Sequence, residues 1–293
     1  MIVKSLIICM LTIQEMNTLR GIRLADHTGY LLRVAHDQAH RTKIEAMPAG
    51  AHPRDYSMLK ALMSTGPISQ QRLAEKMRVN RTLVVGIVDE LERRGWVERR
   101  RDPDDRRSYR LNVTPAGEAA AADMAPRVRS ASDTMATRLT TDERAQLHTL
   151  LRALITSDPE RLIPPGLEDL TGFLIVQAHF MARDRANEAF RDLPIDVRHY
   201  GVLVALDELG PTSQQALTAA MAVSATAVTQ IVDDLERLEL LERRRNPTDR
   251  RSYVVTMTAE GERVLTASRA AAATITIPGD DELRPLLRKL VGL

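Results

Sequence analysis

The sequence predicts a mainly α-helical chain with small β-hairpins, an α+β architecture built twice. Three observations lead there. The stretch from Leu91 to Glu118, LERRGWVERRRDPDDRRSYRLNVTPAGE, returns from Leu235 to Glu262 as LERLELLERRRNPTDRRSYVVTMTAEGE, with 16 of 28 positions identical. A repeat with Arg106 and Arg250 144 residues apart is two copies of a domain, not a solenoid of short units. Apolar residues recur at helical spacing through most of the chain, and aromatics make up only 3% of it, so its cores must come from Leu, Val, Ile, Ala and Met.

The first copy begins at Leu24 with LADHTGYLLRVAHDQAH, matched from Leu167 by LEDLTGFLIVQAH. Tyr30, Leu31, Val34 and Ala35 mark a long amphipathic helix running towards Met47. Tyr56, Leu59, Leu62 and Met63 predict a shorter helix, ended by Gly66-Pro67. Ser69 caps a helix through Leu73 and Ala74 to Met77, and after a turn at Arg78-Val79, Asn80 caps the next. Two short helices joined this tightly are a helix-turn-helix candidate.

The helix after Asn80 places Leu83, Val84, Ile87, Val88 and Leu91 on one face, predicted to be buried, and Arg81, Thr82, Val85, Gly86 and Asp89 opposite. The second copy buries Ala227, Val228, Ile231, Val232 and Leu235 and presents Ala225, Thr226, Thr229, Gln230 and Asp233. Small and polar groups at the amino end of an exposed helix face fit a helix entering the major groove of DNA.

Val97 to Arg101 and Ser108 to Val113 read as strands, the second alternating Tyr109, Leu111 and Val113 against Arg110 and Asn112. Asp102-Pro103-Asp104-Asp105 has turn chemistry, and Thr114-Pro115 reads as an N-cap followed by the first helical residue. An Ala-rich helix then runs towards Leu139, and a capping box at Thr140 to Glu143 opens a helix ending near Ile155. The boundaries that follow are a tail at 1–23, a first domain at 24–156, a Pro-containing linker at 157–166 and a second domain at 167–293. The second copy has lost roughly six residues from its long helix, and its last helix, Asp281 to Leu290, contains Pro285.

A formal net charge of only +2 rules out a strongly basic global field, so attraction to nucleic acid must rest on local arginine clusters. Cys9 is the only cysteine, so the chain has neither an internal disulfide nor a cysteine metal site, and a reducing cytoplasm is expected. The apolar run Ser5 to Ile13 is shorter than the roughly 20 residues of a membrane span and has no small-residue cleavage site after it. It reads as a tail, with Met16 as an alternative start. No phosphate loop, nucleophile elbow or metal-spaced cluster points to an enzyme, a cofactor or a metal.

Two helices, a helix-turn-helix, a hairpin bearing D-P-x-D-R-R-S and a T-x-x-G-E opening to a long helix resemble the MarR family of bacterial winged-helix transcription regulators. The likeness runs from about Leu24 to Ile155 and again from about Leu167 to Leu293. It implies a mainly α fold with small β-hairpin wings, two winged helix-turn-helix domains joined by a helical dimerisation-type body. It also implies sequence-specific binding of double-stranded DNA, as a ligand-responsive repressor, with no membrane partner. Family members are usually homodimers of single domains, so the fused pair implies an intramolecular pseudo-dimer on an imperfect palindrome. A homodimer of tandem chains is the alternative.

Position by position, the resemblance places the wing tip at Asp105, Arg106 and Arg107, and at Asp249, Arg250 and Arg251. The resemblance implies that the arginine of Asp-x-Arg, Arg107 and Arg251, enters the minor groove and that the aspartate two residues earlier, Asp105 and Asp249, orients it. Recognition-helix contacts fall on Asn80, Arg81, Thr82 and Val85, and on Ser224, Thr226, Thr229 and Gln230; Arg54 and Arg198 are phosphate contacts. Arg72, Lys76 and Arg81 give way to Ala216, Ala220 and Ala225 in the second copy, so the first lobe should attract phosphate more strongly and the half-sites should differ. A small phenolic-type effector would meet His36, Tyr56, His179 and Tyr200, which packing alone also explains. The hydroperoxide sensors of the family carry a cysteine where Thr28 or Gly29 stands here, so peroxide sensing is not expected. Two other readings stay open: an architectural protein that coats any duplex, and a second lobe that binds a protein partner.

Overall fold

The computed structural model describes residues 23–46, 52–102, 109–221, 223–245 and 253–293. A 3-10 turn at Arg23–Asp26 precedes twelve helices among these residues. In the first copy they are α1 (Thr28–Ala46), α2 (Pro53–Thr65), α3 (Gln70–Met77), α4 (Arg81–Arg93), α5 (Pro115–Met135) and α6 (Thr141–Thr156). In the second they are α7 (Thr171–Ala189), α8 (Val197–Leu209), α9 (Gln214–Met221), α10 (Ala225–Arg237), α11 (Ala259–Ala272) and α12 (Asp280–Val291). The strands are β1 (Ile68–Ser69), β2 (Val97–Arg101), β3 (Tyr109–Val113), β4 (Leu241–Arg245) and β5 (Tyr253–Met257).

The chain folds as two compact units, and each takes elements from both copies of the repeat. One contains residues 32–181 with 281–292; the other contains 182–280 with 23–31 and residue 293.

In the unit built on the first copy, the helix starts follow the expected capping chemistry. Ser69 Oγ accepts the Arg72 N–H, Asn80 Oδ1 accepts the Thr82 N–H at 2.8 Å, and Thr114 Oγ1 accepts the Gly117 N–H. Thr140 and Glu143 complete a reciprocal capping box at the head of α6. Leu59, Leu73, Val88, Leu91, Leu111, Leu147, Leu151 and Leu154 fill the core, each 1% exposed or less. The short strand β1 was not anticipated. It pairs antiparallel with β3, Ile68 opposite Leu111, giving a sheet of order β1-β3-β2. Two residues are too few to show an alternating pattern in sequence.

Five side chains depart from the expected pattern. Leu83 is exposed, Met63 is exposed, Ala227 is only half-buried, and of the alternating residues on β3 only Leu111 is buried, with Tyr109 turned to solvent. Leu83 lies in the first turn of α4, at the edge of the buried stripe centred on Val84, Ile87, Val88 and Leu91.

The other unit repeats the plan. Thr258 caps α11 and Ser224 caps α10, while β4 and β5 pair from Leu241 opposite Met257 to Arg245 opposite Tyr253. A single bridge between Thr212 and Val255 stands where β1 stands in the first copy. Phe190, Leu203, Leu217, Val232, Leu235 and Val255 are among its core residues.

The glycine of T-x-x-G-E has a steric reason in both copies. A Cβ on Gly117 would stand 2.1 Å from the Trp96 carbonyl oxygen, and one on Gly261 2.2 Å from that of Leu240. Those same carbonyls accept the N–H groups of Thr114 and Thr258. The long helix therefore starts pressed against the root of the hairpin, which only glycine permits.

Candidate nucleic-acid interface

In the first-copy unit, α3 ends on Arg78 in the left-handed region at φ 49°, and Asn80 starts α4 three residues after Met77. The outward face of α4 carries Arg81, Thr82, Val85, Gly86 and Asp89, all exposed, and Leu83 joins them. Asn80 spends its carboxamide oxygen on the cap. Asp89 is engaged too: Arg99 on β2 donates Nη2 to Asp89 at 2.5 Å and Nη1 to Glu92, bracing the first wing strand against the recognition-type helix.

The second-copy unit has the same brace, Arg243 on β4 donating to Asp233 and Glu236 of α10. Partial burial opposes the charge of Arg243, but the two carboxylates outweigh it and raise its pKa. These arginines, absent from the predicted site, could have been found by spacing. Both copies place an aspartate ten residues and a glutamate seven residues before the arginine.

Of the other predicted contacts, Ser224 Oγ caps α10 through the Ala227 N–H, and Thr229 Oγ1 turns back onto the Ala225 carbonyl at 3.0 Å. Thr226 and Gln230 are exposed. Arg54 is exposed at the start of α2 beside Asp55, whose carboxyl burial pushes upward in pKa. Arg198 is engaged more firmly, with Nε and Nη2 both on Asp196, the residue that caps α8. Burial works against the Asp196 charge, but His199 and Arg198 overcome it and hold the carboxyl well below its usual range. Arg72 pairs with Glu75 and lies 3.6 Å from Glu160. Lys76 is half-exposed, whereas its counterpart Ala220 is fully buried. The wing-tip residues Asp105, Arg106, Arg107, Asp249, Arg250 and Arg251 lie outside the described residues.

The segment between the copies docks on the first helix-turn-helix. The Leu162 N–H donates to the Lys76 carbonyl at 3.1 Å, Arg78 donates to Asp158, and Gln177 Nε2 reaches the Met77 carbonyl. Arg161 is buried there and donates to the Gln177 carbonyl at 3.2 Å. In the other unit the carbonyl equivalent to that of Lys76, on Ala220, accepts the Tyr30 hydroxyl.

The four residues considered for an effector separate. His36 and His179 stack on each other with ring centroids 4.6 Å apart, both near Phe180. Tyr56 is buried in the same unit, and Tyr200 packs on Phe190 in the other; burial raises the pKa of both phenols. A cleft of about 10 Å³ in the first-copy unit is lined by Ser57, Val128, Ser132, Met135 and Phe173 among others, and by none of those four. Among the described residues no cluster of three or more His, Cys, Asp or Glu is placed to hold a metal, and no single helix is long and apolar enough to cross a membrane.

Comparison with known proteins agrees with this geometry. The MarR family model matches residues 53–109, and a second model of the same family matches 193–252, so each helix-turn-helix is matched separately. A transcriptional regulatory protein for the hcr operon of Thauera aromatica is 36% identical over 111 residues, 38% of this chain and 67% of that protein. The HTH-type transcriptional repressor NicR of Pseudomonas putida is 32% identical over 137 residues, 46% of this chain and 86% of NicR. Among solved structures, a transcriptional regulator from Pseudomonas aeruginosa is 30% identical, covering 45% of this chain and 99% of that one, with a TM-score of 0.42. With both copies carrying the helix-turn-helix and the braced wing strand, and with relatives above 30% identity aligned over at least two thirds of their length, this chain belongs to the MarR family.

Proposed function

We propose that this protein is a cytoplasmic, sequence-specific transcription regulator that binds double-stranded DNA with both winged-helix lobes of one polypeptide. The observation that carries the reading is the duplicated brace: Arg99 to Asp89 and Glu92, and Arg243 to Asp233 and Glu236. A brace that fixes a hairpin against a helix, kept at the same spacing in both copies, suits two lobes that must present helix and wing together to a duplex. An intramolecular pseudo-dimer is favoured because each compact unit takes elements from both copies of the repeat. The unlike outward faces of α4 and α10 support an imperfect palindrome.

Repression relieved by a small aromatic effector is the mode this reading extends to. Family membership supports it; the cleft beside Ser57 and Ser132 does not, since about 10 Å³ admits no more than a water and both hydroxyls are already bonded, Ser57 to the Pro53 carbonyl and Ser132 to the Thr171 N–H. The test is a fluorescence titration of the full chain against the duplex upstream of its own gene and against a scrambled duplex, at one near-physiological salt concentration. Preference for the native duplex by about 10³-fold supports a specific regulator, and saturation at one chain per site supports the pseudo-dimer. Equal binding that falls steeply with salt favours the architectural reading.

A further inference from the structure

Leu83 and Val85 are 46% and 44% exposed in the first two turns of α4. At 3.6 residues per turn they stand about 160° apart, on the two flanks of a strip whose centre is Thr82 and Gly86. A Cβ on Gly86 would meet nothing within 4 Å, so packing does not demand the glycine, and the strip between the two apolar side chains is left open. The polar groups nearby are committed elsewhere. Asn80 Oδ1 holds the cap, Asp89 holds Arg99, and Glu90 holds Arg93 and Arg94, which keep its carboxyl down at about 2. On the outward face this leaves Arg81, Thr82 and two aliphatic side chains. In the second copy the same two places hold Ala227 and Thr229, and Gln230 stands where the first has Gly86.

The only apolar group that base pairs display in the major groove is the 5-methyl of thymine. We infer that Leu83 and Val85 are specificity-determining residues of the first lobe, packing on thymine methyls on either side of a base pair that Thr82 faces. The half-site of this lobe then holds A·T pairs read through the thymine methyl, whereas in the second lobe, where the shorter Ala227 and Thr229 stand at these places, Gln230 reads its pair by hydrogen bonds. The inference rests on reading α4 as the helix that enters the major groove.

The experiment uses the full chain and the duplex it recovers from a randomised pool, with thymines replaced one at a time by deoxyuridine, which removes only the methyl. Burial of one methyl corresponds to about a fourfold change in affinity, so wild type should lose about that at one or more positions of one half-site. Leu83→Ala or Val85→Ala should lose most of that sensitivity while melting at the wild-type temperature. If every deoxyuridine duplex binds like its thymine parent while a scrambled duplex still binds far more weakly, the inference is overturned and groove reading stands. A methyl effect that persists in both variants and in the double variant also overturns it, because other groups then read the methyls. If recovered and scrambled duplexes bind alike, the groove reading fails and this inference falls with it.

Discussion

Arg78 donates Nη2 to Asp158 Oδ2 at 2.6 Å, tying the turn of the first helix-turn-helix to the segment that joins the two copies. Burial alone would raise the Asp158 pKa, but Arg78, the Glu160 N–H and Arg161 together lower it. Arg78 is about half-exposed, so its own pair is a modest one, but Asp158 also faces the buried Arg161 guanidinium at 3.7 Å, and only a change at Arg78 isolates the exposed pair. Arg78→Gln should lower stability by about 0.5 to 1 kcal/mol, a fall of a few degrees in a melting curve followed by circular dichroism, and Asp158→Asn, which also strips the charge facing Arg161, should cost more. A drop beyond about 10 °C for Arg78→Gln would mean that Arg78 does more than this pair accounts for.

The repeat itself supplies a second expectation. Gly95 follows α4 with φ 72°, and its counterpart Glu239 holds the same left-handed backbone at φ 59° while exposed to solvent. An L-residue there carries a cost of about 1 kcal/mol that glycine avoids. Glu239→Gly should therefore stabilise the protein by roughly that amount in urea titration, and Gly95→Ala should destabilise it by a similar amount.

Gly261 is the contrasting case. Because its absent Cβ faces a backbone carbonyl instead of a movable side chain, Gly261→Ala should cost more than about 2 kcal/mol by forcing the head of α11 away from the root of the wing. The matching change at Gly117 should act alike, and chemical denaturation of the two variants compares them directly.

His148 links stability to pH. Its ring is buried and its Nε2 lies 2.8 Å from Thr171 Oγ1, while the Thr171 N–H donates to Ser132 Oγ. Burial, reinforced by Arg144 and Arg152 against the opposing pull of Asp169, lowers the imidazole pKa to about 4. A base with a depressed folded pKa gives stability that is fully present above its unfolded value of about 6.5 and is lost as pH falls through the folded value. Between pH 6.5 and 4 the loss should reach about 3 kcal/mol, and His148→Gln should flatten that limb of the profile. An unchanged acid limb would remove His148 as its cause.

The brace gives a fifth expectation. Arg243→Lys keeps a positive charge but cannot fork between Asp233 and Glu236 as the guanidinium does. It should weaken specific DNA binding by a few-fold, with Arg243→Ala weaker still. Equal affinity for all three proteins would detach the wing's attachment from recognition.

The helices and hairpins were legible because their signals are local. Ser69, Asn80, Thr114 and Thr140 all cap where the sequence puts caps, since a capping hydroxyl or carboxamide acts within three residues. What escaped depends on contacts distant in sequence. The exposure of Leu83 follows from how far the core reaches along α4, which an apolar periodicity alone overstates. The docking of Leu162 on the Lys76 carbonyl joins residues 86 apart and leaves no mark in composition. The stacking of His36 on His179 is similar: equivalence across the repeat flagged both residues, but not that they would meet.

The composition of the units also bears on synthesis. Gln38 donates to the Val291 carbonyl, Gln146 to Glu282, and Lys289 to Glu143, so α12 completes a unit whose other residues run from 32 to 181. On the ribosome that unit must wait, with its last wall missing, until residues 281–292 have emerged behind the whole of the other unit's 182–280. A stop codon near residue 280 would thus injure the lobe made first and leave most of the later-made one in place, the reverse of what the order of the repeats suggests.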